Sequence, residues 1–394
     1  MASERFSVPG VDAGTPILAA APAILIAKGE PFFRLEDAAR SGADVEAVHD
    51  MRVASRRLRE AMRLFAPLYA PKASAQWSAR VRRVTRALGP VRDADVFIET
   101  FGKLAPKLGD GGKRAVAFLV GQRLGQREQQ LLRLNHELTS LDLRQARKEF
   151  ARLAASIDAG AHEKRSLADF AHAAVAERAA AVFRLQPEAL DEANVASQHA
   201  LRILYKQLRY AVEVFATCYG GEFDDVHDVL VAVQDALGDL HDNHLFIDLL
   251  HDPAVVATAR RGGVSADDLV EVGAVLDARA REAYGRFIAL ESAHPAETML
   301  PQLLLPLTRR PVAGVPAGPA EGEVEPPVDA LTEAALPGAY ADVPVDVTVI
   351  EEIDHSLPYL TDTGELVLPR DDVEFEPSPS LADADPAQDR GSGS

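Results

Sequence analysis

Two stretches of this chain, 150 positions apart, carry the same two-faced helical pattern. Residues 49 to 65 read HDMRVASRRLREAMRLF, and residues 199 to 215 read HALRILYKQLRYAVEVF. At about 100° per residue, His49, Arg52, Arg56, Arg59 and Arg63 share one side of a helix, within an arc of roughly 80°. Met51, Ala54, Leu58, Ala61, Met62 and Phe65 share the opposite side. The second stretch divides likewise, with Leu201, Leu204, Leu208, Ala211, Val212 and Phe215 opposite His199, Arg202, Lys206 and Arg209. Such a chain must bury two helix faces in a core and find a use for two faces of concentrated positive charge.

The alignment of the two stretches is position by position. His49 matches His199, Arg52 matches Arg202, Arg56 matches Lys206, Leu58 matches Leu208, Arg59 matches Arg209, Ala61 matches Ala211 and Phe65 matches Phe215. A second echo follows each copy. LGPVRDADVF (88–97) aligns with LGDLHDNHLF (237–246), pairing Gly89 with Gly238, Asp93 with Asp242 and Phe97 with Phe246. Two blocks in the same order at nearly the same separation are the signature of an internal duplication. Core packing accounts for the repeated Leu, Ala and Phe but not for the repeated cations. Ordinary solvated helix faces mix charge signs at i,i+4, because like charges there oppose the helix. Here only Glu60 relieves the first stripe. One stripe alone is readable as a solvated face; two in register point to an anion.

The pattern H-x-x-R-x-x-x-[RK]-x-L-R, present twice and each time followed by an L-G-x-x-x-D turn, resembles the CHAD family of histidine-containing α-helical domains over about residues 15 to 305. The resemblance implies an all-α, internally duplicated fold, two helical bundles related by a pseudo-two-fold with basic surfaces meeting near the middle. It also implies a ligand, inorganic polyphosphate, and association with polyphosphate or storage granules. A flexible linear polyanion needs repeated cationic donors along a track, and arginine forks suit phosphate oxygens. The expected contacts are His49, Arg52, Arg56, Arg59 and Arg63, with Arg82, Arg83 and Arg86 from VRRVTRALGPVR, and His199, Arg202, Lys206 and Arg209 from the second copy. His49 and His199 either add donors as pH falls or hold a neighbouring helix. The second copy is poorer in charge: Val231, Ala232 and Asp235 stand where the first has Arg82, Arg83 and Arg86, and Glu213 stands for Arg63. The first half is therefore expected to carry more of the binding. Asp93 and Asp95 are expected to orient arginines or cap a helix rather than touch an anion.

The total charge of −18 opposes anion binding only until it is divided. Of 60 acidic and 42 basic residues, 19 and two lie from Pro311 to Ser394, which leaves 41 and 40 in residues 1 to 310. The body is near neutral and the tail holds the excess.

Residues 1–14 are expected to form a flexible terminus, followed by a helical domain over 15–305. Its first half spans about 15–140, a bridging segment about 141–198, and its second half about 199–305. Breaks are expected at Pro67–Pro71, Gly89–Pro90, Gly109–Gly112, Gly220–Gly221, Pro253 and Gly262–Gly263. TPILAAAPAILIAKG (15–29) has a weak basic flank and runs into a helical pattern, so it is read as the first core helix rather than a secretory signal. Residues 306–394 are expected to be a Pro/acid-rich disordered tail. Within it the alternation in 342–369 allows a short strand or a docking motif for a protein partner, against the plainer reading of a solvated tail. The tail could also fold over the basic surface and compete with the ligand.

No stretch reaches about 18 consecutive apolar residues, so no membrane span is expected. Cys218, the only cysteine, excludes an intramolecular disulfide and fits a reducing cytoplasm. The expected activity is non-catalytic binding with no cofactor. One alternative is a granule-associated scaffold that recruits a partner through the tail. Another is a metal-dependent phosphohydrolase built on HDNH (241–244) with His227, Asp228 and Asp235. Against the enzyme, the first copy has no matching histidine pair, and no P-loop, nucleophile elbow or dinucleotide fingerprint occurs. The E-x-E-x-K pattern of the triphosphate-processing domain sometimes fused to such domains is also missing. Nucleic-acid binding is disfavoured by the near-neutral body, the acidic tail and the scarcity of aromatics for base stacking.

Overall fold

The structure, a computed structural model, describes residues 5–157 and 165–309, together with the backbone of two short strands further on. The body is all-α. In chain order the helices are α1 (Ile17–Arg34), α2 (Glu36–Ser41), α3 (Val45–Phe65), α4 (Pro71–Leu104), α5 (Asp110–Leu141) and α6 (Leu143–Ala155). There follow α7 (Leu167–Ala189), α8 (Val195–Val214), α9 (Phe223–His251), α10 (Pro253–Arg261), α11 (Ala266–Ala293) and α12 (Ala296–Thr308). Strands β1 (Tyr359–Leu360) and β2 (Leu366–Val367) pair antiparallel and fall within the segment expected to alternate. The remainder of the expected disordered tail and docking segment lies outside the described residues.

Local chemistry sets most helix starts. Asp44 accepts from the Glu46 amide at the head of α3, and Asn194 accepts from the Ser197 amide at the head of α8. Ser166 with Asp169 and Ser265 with Asp268 form capping boxes that open α7 and α11. Proline supplies the first position of α4 and of α10, where its missing N–H costs nothing.

The predicted core faces are buried. Met51, Leu58, Ala61 and Phe65 of α3 and Leu201, Leu208, Ala211 and Val212 of α8 have no exposed surface, and Phe215 just past α8 is equally enclosed. They join α1, α4, α6, α7, α9 and α12 in one large core. A second core lies between the C-terminal halves of α4 and α9, with α5, α10 and α11 closing over it. Aligned residues meet each other: the rings of Phe65 and Phe215 lie 6.0 Å apart edge to face, and those of Phe97 and Phe246 lie 5.5 Å apart.

Three expectations need correction. The L-G-x-x-x-D blocks are not turns: α4 runs unbroken through Gly89 and Pro90, and α9 through Gly238. Pro90 removes one helical hydrogen bond, but Val84, Leu88 and Val91 on the same helix are fully buried, and that packing holds the helix across the defect. The N-terminal segment is not loose from residue 5 onward. Phe6 is buried against Phe223 and His227, with ring centroids at 5.6 and 5.2 Å. The tail boundary moves as well, since α12 carries Pro301 and Pro306 and ends at Thr308. The apolar segment 15–29 forms most of α1, with Ile17, Ala20, Ala21 and Ile24 fully enclosed.

Candidate functional site: two basic helix faces and the crossing between them

Helices α3 and α8 pack against each other, so the two stripes are brought to one region of the molecule. Tyr210 of α8 lies between the copies. Arg56 of α3 stands 6.0 Å from its ring centroid and Arg209 of α8 stands 4.7 Å from it. Beneath this crossing sits Glu213, 1% exposed. It accepts from Arg57 at 2.6 and 3.2 Å and from Arg209 at 2.9 Å, and His227 Nε2 lies 3.1 Å away. Burial alone would raise the Glu213 carboxyl, but the His227 hydrogen bond and the two arginines hold it down at about 2. Lys28 of α1 completes the cluster. Its ammonium donates to the carbonyls of Phe6 and Glu213, and burial, opposed by Glu213, brings it down to about 8.

The stripes are not simple solvent faces. Arg52 and Lys206 are only 7% exposed, while His49, Arg56, Arg59, Arg202 and Arg209 are half-buried. The next helix of each half supplies the floor. Arg52 lies across Gly89 of α4, and Arg202 lies across Gly238 of α9. The leading histidines also have matching neighbours. His199 Nδ1 is 3.1 Å from His241 Nδ1, and the aligned residue to His241 is Arg92, whose charge bears on His49. Burial first, and then Arg92, push the His49 imidazole below its ordinary range.

The other expected contacts separate. Arg82 is half-buried and Arg86 exposed on α4, on the side of that helix that carries Gly89. Arg83, about 100° away around the helix, donates to Glu137 of α5 at 2.7 Å and to Ser140. Arg63 donates to Glu60 at 2.6 Å, and Glu60 also takes Arg178 of α7 at 2.7 Å. Glu60 thus neutralises the end of the stripe. Arg209 is held by Glu213 and by Gln234 at 2.7 Å. Asp95 accepts from Arg127 of α5, which also donates to the carbonyl of Gly42, so it orients an arginine as expected. Arg123 lies 4.6 Å from the Phe97 centroid, lowered by burial to about 10.

Residues that the sequence patterns did not single out for the site are Tyr210, Arg92 and Gly89. Arg92 was visible only as part of a supposed turn; on a continuous α4 it lies one turn beyond Gly89. Its buried Nη1 has no hydrogen-bond partner among the described residues.

The residues proposed as metal ligands do not converge. His227 faces Glu213 and stacks on Phe223 at 5.0 Å, His241 faces His199, and burial lowers His244. Among the described residues no group of three or more His, Cys, Asp or Glu is placed to hold a metal ion. Cys218 lies in a 3₁₀ turn after α8, buried, its thiol pushed up to about 12 by desolvation. Among the described residues no helix is long and apolar enough to cross a membrane.

The family model of the CHAD domain matches residues 24–251, from the second turn of α1 to the end of α9. The chain belongs to the CHAD domain family. Solved structures agree with this at the level of fold. The CHAD domain from the plant Ricinus communis is 24% identical, with a TM-score of 0.51 over 75% of this chain and 94% of that one. PptA from Streptomyces chartreusis is 19% identical, with a TM-score of 0.53 over 71% of this chain and all of that one. No curated protein matches the sequence. In this CHAD chain the matched region contains both stripes, both glycines and the Glu213 cluster, while α10 to α12 lie beyond it.

Proposed function

We propose that this CHAD chain binds inorganic polyphosphate without catalysing its turnover, along the basic faces of α3 and α8 and the adjoining side of α4. The observation that carries this reading is the crossing at Tyr210, where Arg56 and Arg209 flank one ring and join two stripes into one track. A polyphosphate chain has a charge on nearly every unit and no bases to read, so it matches a row of forked donors with few exposed aromatics beside it. Family membership supports polyphosphate as the polyanion, because CHAD domains are associated with it. On this reading the protein acts in the cytoplasm or on polyphosphate granules, and the acidic tail is free to engage a protein partner.

The test is a titration with long-chain polyphosphate and with DNA of equal charge over a salt series. Polyphosphate is expected to bind more tightly at every salt concentration, with log K falling linearly against log salt. Charge reversal at Arg56 and Arg59 is expected to weaken it about tenfold or more, and reversal at Arg202 and Lys206 less. Equal affinity for the two polymers would sink the polyphosphate reading. Release of inorganic phosphate by the wild-type chain would sink the non-catalytic one.

A further inference from the structure

Gly89 and Gly238 sit in the middle of α4 and α9, where a glycine weakens a helix relative to alanine. Neither has the positive φ that would demand glycine; the positive-φ glycines are elsewhere, at 10, 42, 220 and 263. The backbone therefore gives no reason for them, and space does. A Cβ built on Gly89 would lie 3.1 Å from Arg52 Nη1 and 3.9 Å from its Cζ, with no other atom within 4 Å. A Cβ on Gly238 would meet only Arg202 Nε, at 3.8 Å. In both halves the sole neighbour of the missing methyl is the arginine of the H-x-x-R motif.

We infer that Gly89 is a positioning residue: it is a seat that lets one end of the Arg52 guanidinium come down against α4, on the side of that helix that carries Arg82 and Arg86. This rests on the polyphosphate reading above and deepens it. With the seat, the α3 row and the α4 row share one surface; with a methyl there, the guanidinium is lifted by a few tenths of an ångström or swings aside. Because the crowded atom is the far end of a flexible side chain, the fold absorbs the change while the binding row does not. At Gly238 the spacing is ordinary van der Waals contact, so an alanine there is accommodated. The two glycines, alike in sequence, thus differ in consequence.

The experiment compares wild type, G89A, G238A, R52K and the G89A/R52K double variant by calorimetric titration with long-chain polyphosphate over a salt series, with thermal melting alongside. G89A is expected to melt at or above the wild-type temperature yet bind about tenfold more weakly. Its salt slope is expected to be shallower by about 0.7–0.9, one phosphate contact. G238A is expected to stay within about twofold of wild type. The lysine of R52K has no guanidinium to seat, so adding G89A to it is expected to cost nothing more. Wild-type affinity in G89A overturns the inference alone, as does a G89A loss that persists in full on R52K. Unfolding of the domain by G89A overturns it too. A wild-type chain that fails to bind polyphosphate removes the underlying reading and this inference with it.

Discussion

Glu213 carries more of the fold than its single charge suggests. It is buried under two arginines and a histidine drawn from α3, α8 and α9. Its carboxyl is held near 2 instead of the usual 4.5. A depressed carboxylate contributes stability that is present above its unfolded value and lost as pH falls through the folded one. The shift corresponds to about 3 kcal/mol, lost between roughly pH 4.5 and 2. Glu213→Gln is therefore expected to lower the unfolding free energy by about 3 kcal/mol at pH 7 and to match wild type closely at pH 2. Urea melts at the two pH values check this, and an equal gap at both would show that the ion cluster is not its source.

At the scale of helices, the case that separates sequence from structure is α4. Its core residues were legible from their spacing, as were those of α3 and α8, because period and burial are the same signal. Gly89–Pro90 reads as a break in the sequence because both residues weaken helices locally. What overrides them is tertiary, the burial of Val84, Leu88 and Val91 on either side. Once α4 is continuous, Arg92 and Gly89 become parts of one face. The distant ion partners of Glu60 and Arg83 were illegible for a different reason. Arg178 lies 118 positions from Glu60, and Glu137 lies 54 from Arg83, and nothing local encodes either pair. Phe6 was missed because one aromatic in a short polar segment has no period. The proline itself supplies a test. Pro90→Ala returns an N–H to the Arg86 carbonyl, so α4 is expected to gain about 1–3 kcal/mol, seen as a higher melting temperature. A lower one would mean that the core is fitted to the proline.

Over the whole molecule, charge is divided rather than balanced. Residues 1–310 hold 41 acids and 40 bases, and residues 311–394 add 19 acids and two bases. The last described residue of the body, Arg309, is salt-bridged to Glu222, five positions before the His227 that faces Glu213. The acidic excess follows that residue in the sequence. Removing residues 311–394 is expected to raise polyphosphate affinity several-fold at low salt. The difference should fade toward about 1 M salt, where charges separated by more than about 3 Å are screened. Titrations of the full chain and the truncated chain at both salt concentrations would show it. Identical affinities at low salt would mean that the tail and the basic track do not compete.

The bond from Arg57 to Glu213 joins residues 156 positions apart. In a chain made at about 5–20 residues per second, the acid follows the arginine by roughly 10–30 s. During that interval the first stripe and the Arg57 guanidinium emerge with no buried carboxylate to receive them, in surroundings rich in RNA. The crossing at Tyr210 cannot form before α8 is made, and the long loop it closes adds to the entropic cost of that step. On the proposed polyphosphate reading, the first half thus offers only part of the track until α8 arrives to complete it.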